Sequence, residues 1–269
     1  MKPVVPFLTV AVATGFASFG EVPSVQPGTA PPSCFLLYDE QSRQTVREPS
    51  EGCSTRLTPA STFKIPHALA ALDAGIVSGP HDTFRYDGAA LYFERWQRDH
   101  DLASAMRDSV VWYFQRIAER MGIDRERAYL KAFDYGNQDA SGPLTSFWLG
   151  DSLKISPEEQ LTFLLRFFGG RVPIREDAAR TVQEILVQPV GSIVNAAAEH
   201  SFAAPWPEGT RVYAKTGSAE DQGRAVRWLV GRIVRGDRRW IFVSCVVGSE
   251  EALAAVNLAA ARLVRLKAL

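Results

Sequence analysis

Three successive strand-like runs near the C-terminus constrain the fold of this chain most. They cover 211–216, 225–234 and 239–247, and Arg235-Gly236-Asp237-Arg238 supplies a turn between the last two. A further apolar run at 34–39, with a short one around Thr45-Val46, reads as strand near the start. Between these two groups the apolar residues recur at helical spacing. Helices are expected over 61–76 with Gly75 near the stop, over 101–122, and over 124–133. Ser156-Pro157-Glu158-Glu159 has the form of a capping box and opens a helix to about Phe168, before Gly169-Gly170. Another helix is expected over 176–186, and the Ala-rich stretch 249–267 closes the chain as a helix. The order strand, helices, strands, helix predicts an α+β fold. An antiparallel sheet is shared by the N- and C-terminal pieces and flanked by helices. A mostly helical lobe, about 65–205, is inserted between them, with a cleft where the two meet.

At 269 residues the chain can bury a large core, and its 30 acidic and 30 basic residues balance. Without a run of like charge, nothing points to nucleic acid or to a polybasic membrane patch, and a small-molecule substrate is expected. Lys2, the apolar stretch 4–19 and Ser18-Phe19-Gly20 read as a signal peptide over 1–20, followed by the catalytic domain over 21–269. Periplasmic or secreted localisation follows, with no stable membrane insertion after processing. Of three cysteines, Cys34 and Cys53 either close a loop by a disulfide after export or remain two buried thiols. Cys245 lies in an apolar strand and reads as inert core. The four histidines and three cysteines have no metal-ligand spacing, so no metal is expected.

Ser61-Thr62-Phe63-Lys64 places a serine and a lysine on one face at the head of a helix. A base beside a weak alcohol makes it a nucleophile. The pattern alone is cheap, arising by chance roughly once in ~250 residues of average composition. Lys215-Thr216-Gly217 follows a strand and is much rarer, roughly once in several thousand residues. It joins a cation, a hydroxyl and a missing side chain in an anion-binding edge, and Gly217 is expected to let an extended substrate lie against the backbone. Ser109, in a helical region, can relay a proton. Val111 two residues on reads as plain core unless it reaches the cleft. The segment 135–149, rich in Gly, Asn, Asp, Ser and Pro, is a loop of the length usually kept for function.

In combination these motifs resemble the class D serine β-lactamases of the penicillin-recognising fold. The resemblance rests on Ser61-Thr62-Phe63-Lys64, Ser109-Val110-Val111-Trp112, Tyr135-Gly136-Asn137, Phe147-Trp148-Leu149, 154–160 and Lys215-Thr216-Gly217. It extends over nearly the whole exported chain. A related Ser-x-x-Lys, Ser-Asp-Asn and Lys-Thr-Gly set marks the class A enzymes; here Val111 stands where that set has asparagine. The resemblance implies that Ser61 attacks the β-lactam carbonyl, and that Lys64, carboxylated by CO₂, is the general base; no other cofactor is expected. It implies that Ser109 passes a proton to the leaving nitrogen and that Lys215 and Thr216 hold the substrate carboxylate. Backbone N–H groups of Ser61 and Ser218 form the oxyanion hole. Phe63, Val111, Trp148 and Leu149 form an apolar wall around the lysine, with the Trp148 indole donating to the carbamate. Tyr135 and Asn137 have a structural part in the loop. A homodimer is compatible with the family.

Two features depart from the family pattern. The segment 249–256 holds no arginine for the substrate carboxylate, leaving Arg224, Arg227 or Arg262 as substitutes, and 191–209 is longer than usual. Two other functions compete. A β-lactam sensor domain would be acylated at Ser61 without turnover, but sensors carry a long membrane-embedded N-terminal region and tend to have a polar residue at the place of Val111. A D-alanyl-D-alanine peptidase fits less well with the compact length and the 147–149 loop.

Overall fold

The computed structural model describes residues 32–202 and 206–269. The expected signal peptide lies outside the described residues. In chain order the elements are β1 (Ser33–Asp39), β2 (Gln44–Glu48), a 3-10 turn (Ala60–Phe63) and α1 (Lys64–Asp73). Then come β3 (Thr83–Phe84), a 3-10 turn (Glu94–Trp96), β4 (His100–Asp101), α2 (Leu102–Arg107), α3 (Val111–Met121) and α4 (Ile123–Phe133). They are followed by α5 (Pro157–Phe168), α6 (Glu176–Ile185), β5 (Ser192–Val194) and β6 (Glu199–Ser201). The chain closes with β7 (Thr210–Asp221), β8 (Arg224–Arg235), β9 (Arg238–Val247) and α7 (Ala254–Arg265).

The main sheet has the order β2-β1-β9-β8-β7, antiparallel throughout. The N-terminal hairpin thus joins the C-terminal one through the β1–β9 pair, as the split strand pattern implies. Strand alternation sends successive side chains to opposite faces. Phe35, Leu37, Leu229 and Phe242 meet Ala259 and Leu263 of α7 on one face. Leu36, Val230 and Val243 meet the helical core on the other, with Leu69, Phe114 and Phe163. Burying both faces makes β7, at the sheet edge, the strand left free to border a cleft.

α5 begins as expected: Ser156 and Glu159 make a reciprocal capping box with Pro157 in the first turn. The expected helix over 101–122 is corrected. It is two helices, broken at residues 108–110, where Asp108 turns inward to three arginines and Ser109 takes a left-handed conformation at φ +54°. Apolar periodicity runs on through that break, so spacing alone does not reveal it. The closing helix also starts later than expected, at Ala254. Cys34 and Cys53 form a disulfide, with their Cα atoms 5.5 Å apart, tying β1 to the segment that leads to Ser61. Cys245 is free and buried, and burial raises its thiol well above the usual range. Among the described residues no helix is long and apolar enough to cross a membrane.

Candidate active site

Ser61 sits in the 3-10 turn that leads into α1, and that turn is tied down from several sides. Thr58 receives a hydrogen bond from the Trp228 indole at 2.9 Å through its carbonyl, and its N–H donates to Asp221 Oδ2 at 2.8 Å. Asp221 is paired in turn with Lys154 at 2.7 Å. The Ala60 N–H donates to the Trp148 carbonyl at 3.0 Å, and Thr62 Oγ1 accepts from Gln160 Nε2 at 2.7 Å. Ala60 itself has φ +50°, a conformation that strains a residue with a Cβ and persists only where the surroundings impose it. A Cβ on Gly217 would stand 3.1 Å from both Pro59 O and Thr62 Cγ2. Gly217 lines the cleft, and its missing side chain also admits the turn that carries Ser61. Asp221, Lys154, Gln160 and Trp228 were not legible as site residues, because their work is to brace the turn across long sequence gaps.

The Lys64 Nζ donates to Ser61 Oγ at 2.7 Å. Lys64 is fully buried, with its Nζ 5.4 Å from the Phe114 ring centre. Burial first, and the Lys215 charge second, hold the amine well below the usual lysine range. A neutral amine next to a hydroxyl accepts a proton, which an ammonium does not. The buried Trp148 Nε1 has no hydrogen-bond partner among the described residues, a costly state for an indole donor. Its ring lies 5.5 Å from that of Phe63.

The left-handed turn brings Ser109 to Lys215, whose Nζ donates to Ser109 Oγ at 2.9 Å and to the Thr216 carbonyl at 3.1 Å. Lys215 is 3% exposed, and desolvation lowers its amine to about 7. The strand edge that borders the cleft is Thr216, Gly217 and Ser218, and the Lys215 Nζ next to it in sequence is bound to Ser109. Ser61 and Ser218 border the same cleft, so their backbone N–H groups come from the nucleophile turn and the edge strand.

Tyr135-Gly136-Asn137 is a structural clamp. Asn137 donates from Nδ2 to Ser152 O at 2.8 Å and accepts at Oδ1 from the Lys154 N–H at 2.9 Å. Gly136 has φ +56°, and a Cβ there would stand 2.1 Å from Lys154 O. Tyr135 is buried and packs edge-on to Phe163 at 5.1 Å. The clamp holds 135–137 against 152–154, and Leu149 at the far end of the loop lines the cleft.

The cleft has a volume of about 380 Å³. Ser61, Ser109, Val111 and Leu149 lie on its walls together with the edge strand, so Val111 reaches the cleft. Other wall residues were missed: the aromatic rim Tyr92, Phe93 and Trp96, and the tip of the β5–β6 hairpin at Asn195-Ala196-Ala197. That hairpin lies within 191–209. Ala252, Ala255 and Val256 also line the cleft. None of the candidate arginines lines it. Arg262 pairs with Glu48 at 2.7 Å, Arg227 donates to the Ala219 carbonyl at 3.3 Å, and Arg224 lines a different cavity, with Pro49 and Cys245. Among the described residues no cluster of His, Cys, Asp and Glu is arranged to hold a metal.

Comparison with known proteins agrees with this geometry. A profile of the penicillin binding protein transpeptidase domain matches residues 35–265. The chain is 36% identical to the probable β-lactamase YbxI of Bacillus subtilis (strain 168), over 79% of this chain and 73% of that one. It is 34% identical to the β-lactamase OXA-48 of Klebsiella pneumoniae, over 77% of this chain and 72% of that protein. The fold superposes on the class D β-lactamase BAT-2 with a TM-score of 0.78 and 34% identity, covering 89% of this chain and 93% of that one. With Ser61 on a buried lysine, Ser109 on a second, and relatives of this name spanning most of its length, the chain belongs to the class D serine β-lactamases.

Proposed function

We propose that this enzyme opens the cyclic amide of penicillin-type β-lactams through an ester on Ser61, and that it acts outside the cytoplasm as an antibiotic-resistance determinant. The observation that carries the mechanism is the fully buried Lys64 amine at 2.7 Å from Ser61 Oγ. In that site Lys64 takes the Ser61 proton as the oxygen attacks the carbonyl. Backbone N–H groups of Ser61 and Ser218 receive the charge that develops on the carbonyl oxygen. Ser109 hands a proton to the departing nitrogen and is resupplied by Lys215, whose amine near 7 can give and regain a proton at neutral pH. Thr216 and Ser218 hold the substrate carboxylate, Lys215 adding positive charge behind them. Water, activated on the Lys64 side, then hydrolyses the ester.

Lys64 is a fitting site for carboxylation by CO₂, because only an uncharged amine reacts and this one is kept uncharged by burial. The buried Trp148 Nε1, a donor without a partner among the described residues, fits as the group that would hold the added carboxylate. So modified, Lys64 would supply an anionic base where the free side chain supplies an amine. Export by the 1–20 segment is supported by the Cys34–Cys53 disulfide, a bond that persists in oxidising compartments.

Intact-mass spectrometry of protein mixed with a penicillin tests the roles of Ser61 and Lys64. Ser61→Ala should show no adduct, and Lys64→Ala should acylate slowly and then accumulate the adduct. A folded Ser61→Ala protein that still turns over substrate would overturn the assignment.

A further inference from the structure

Asp108, next in sequence to Ser109, is 1% exposed and sits at the end of α2. Three guanidinium groups converge on it. Arg107 binds it through both Nε and NH2 at 3.0 Å, Arg98 NH2 stands at 3.0 Å, and Arg95 NH1 at 3.4 Å. One bidentate arginine would neutralise this carboxylate. The other two come from the segment that forms the aromatic rim of the cleft. The backbone joins the same knot: the Asp108 carbonyl accepts from Trp96 Nε1 at 2.9 Å, and the Trp96 carbonyl accepts from Trp112 Nε1 at 2.9 Å. One residue later the chain adopts the left-handed φ of +54° that aims Ser109 Oγ at Lys215. A serine in that conformation is held there by its neighbours, since its own preference is elsewhere.

We propose that Asp108 is a positioning residue for the acylation step: clamped by Arg95, Arg98 and Arg107, it holds Ser109 on Lys215 and Trp96 on the rim of the cleft. The inference rests on the reading of Ser109 as the proton relay to the leaving nitrogen. Asp108 touches neither substrate nor reacting atoms, so its effect passes through Ser109. A small displacement of a reacting group is enough to cost about 100-fold in rate.

Acylation and deacylation rates are measured separately for Asp108→Asn, Ser109→Ala and the double variant, using a fluorescent penicillin and stopped flow. Asp108→Asn should slow acylation about 30- to 100-fold and leave deacylation within about twofold. The double variant should be no slower than Ser109→Ala alone, because residues acting through one another are not additive. Arg98→Ala, which leaves Asp108 and Arg107 in place, should show the same pattern about 3- to 10-fold in size, and it serves if Asp108→Asn fails to fold. Effects that multiply in the double variant, or an equal loss in both steps, would overturn the inference while leaving the relay intact. Ser109→Ala acylating at the wild-type rate would instead overturn the relay reading, and this inference with it.

Discussion

In the proposed mechanism two lysines carry the chemistry of this site, and burial gives each of them its use. A lysine in water is an ammonium at neutral pH and can accept nothing. Lys64 and Lys215 are both enclosed; burial lowers both amines, and the Lys215 charge lowers that of Lys64 further. That arrangement has a cost in stability. Between about 7 and 10.5 the unfolded chain holds a proton on Lys215 that the folded chain does not, so this group makes stability rise with pH across that window. Below about 7 both states hold the proton and the full cost, of order a few kcal/mol, is present. Lys215→Met should therefore melt several degrees above the wild type at pH 7, with the gap narrowing toward pH 10, while hydrolysis is lost. A gap that stays constant with pH, followed by calorimetry, would contradict the neutral buried amine. Ser61, Lys64, Ser109 and Lys215 were legible because nucleophile, base and relay need particular residue types at fixed spacing. Asp108 was not, since its partners lie in a segment whose position only the fold reveals.

At the scale of elements, the site depends on turns more than on helices or strands. The nucleophile turn is braced by Trp228, Asp221 and Gln160, and the 135–149 loop is folded back by the Asn137 clamp. Gly136→Ala would drive a Cβ into Lys154 O in a backbone region that a side chain resists. The expected loss is about 3–5 kcal/mol in chemical denaturation, with slower turnover as Trp148 shifts. A variant within about 0.5 kcal/mol of wild type would remove the clamp from the account. Strands, helix starts and the capping box at Ser156 were legible in the residue pattern because they are set locally, by alternation, periodicity and side-chain caps. The break at 108–110 was not, because its cause is three arginines, two of them from outside the helix. The hairpin at Asn195 was not, because nothing local in 191–209 says that its tip reaches a distant cleft. Gly217 was legible from its motif, but its second use, making room for the Ser61 turn, depends on a contact that only the fold creates.

For the whole molecule, the sheet carries Lys215 and the edge strand, the helical core carries Lys64 and Ser109, and the hydrolase exists only where these faces meet. Ala252, Ala255 and Val256 give the cleft part of its apolar wall, and none of Arg224, Arg227 and Arg262 lines it. Charge there comes from Lys215 alone among the site residues, so the two buried lysines answer for both binding and catalysis. The central claim is that Lys64 works as a base because it is buried, uncharged and open to carboxylation. Steady-state hydrolysis of a chromogenic β-lactam by the purified mature chain, after CO₂ depletion and then with bicarbonate restored, tests this most directly. The account predicts turnover that falls on depletion and recovers with bicarbonate. A single stoichiometric burst without turnover, or steady turnover indifferent to bicarbonate, would contradict it.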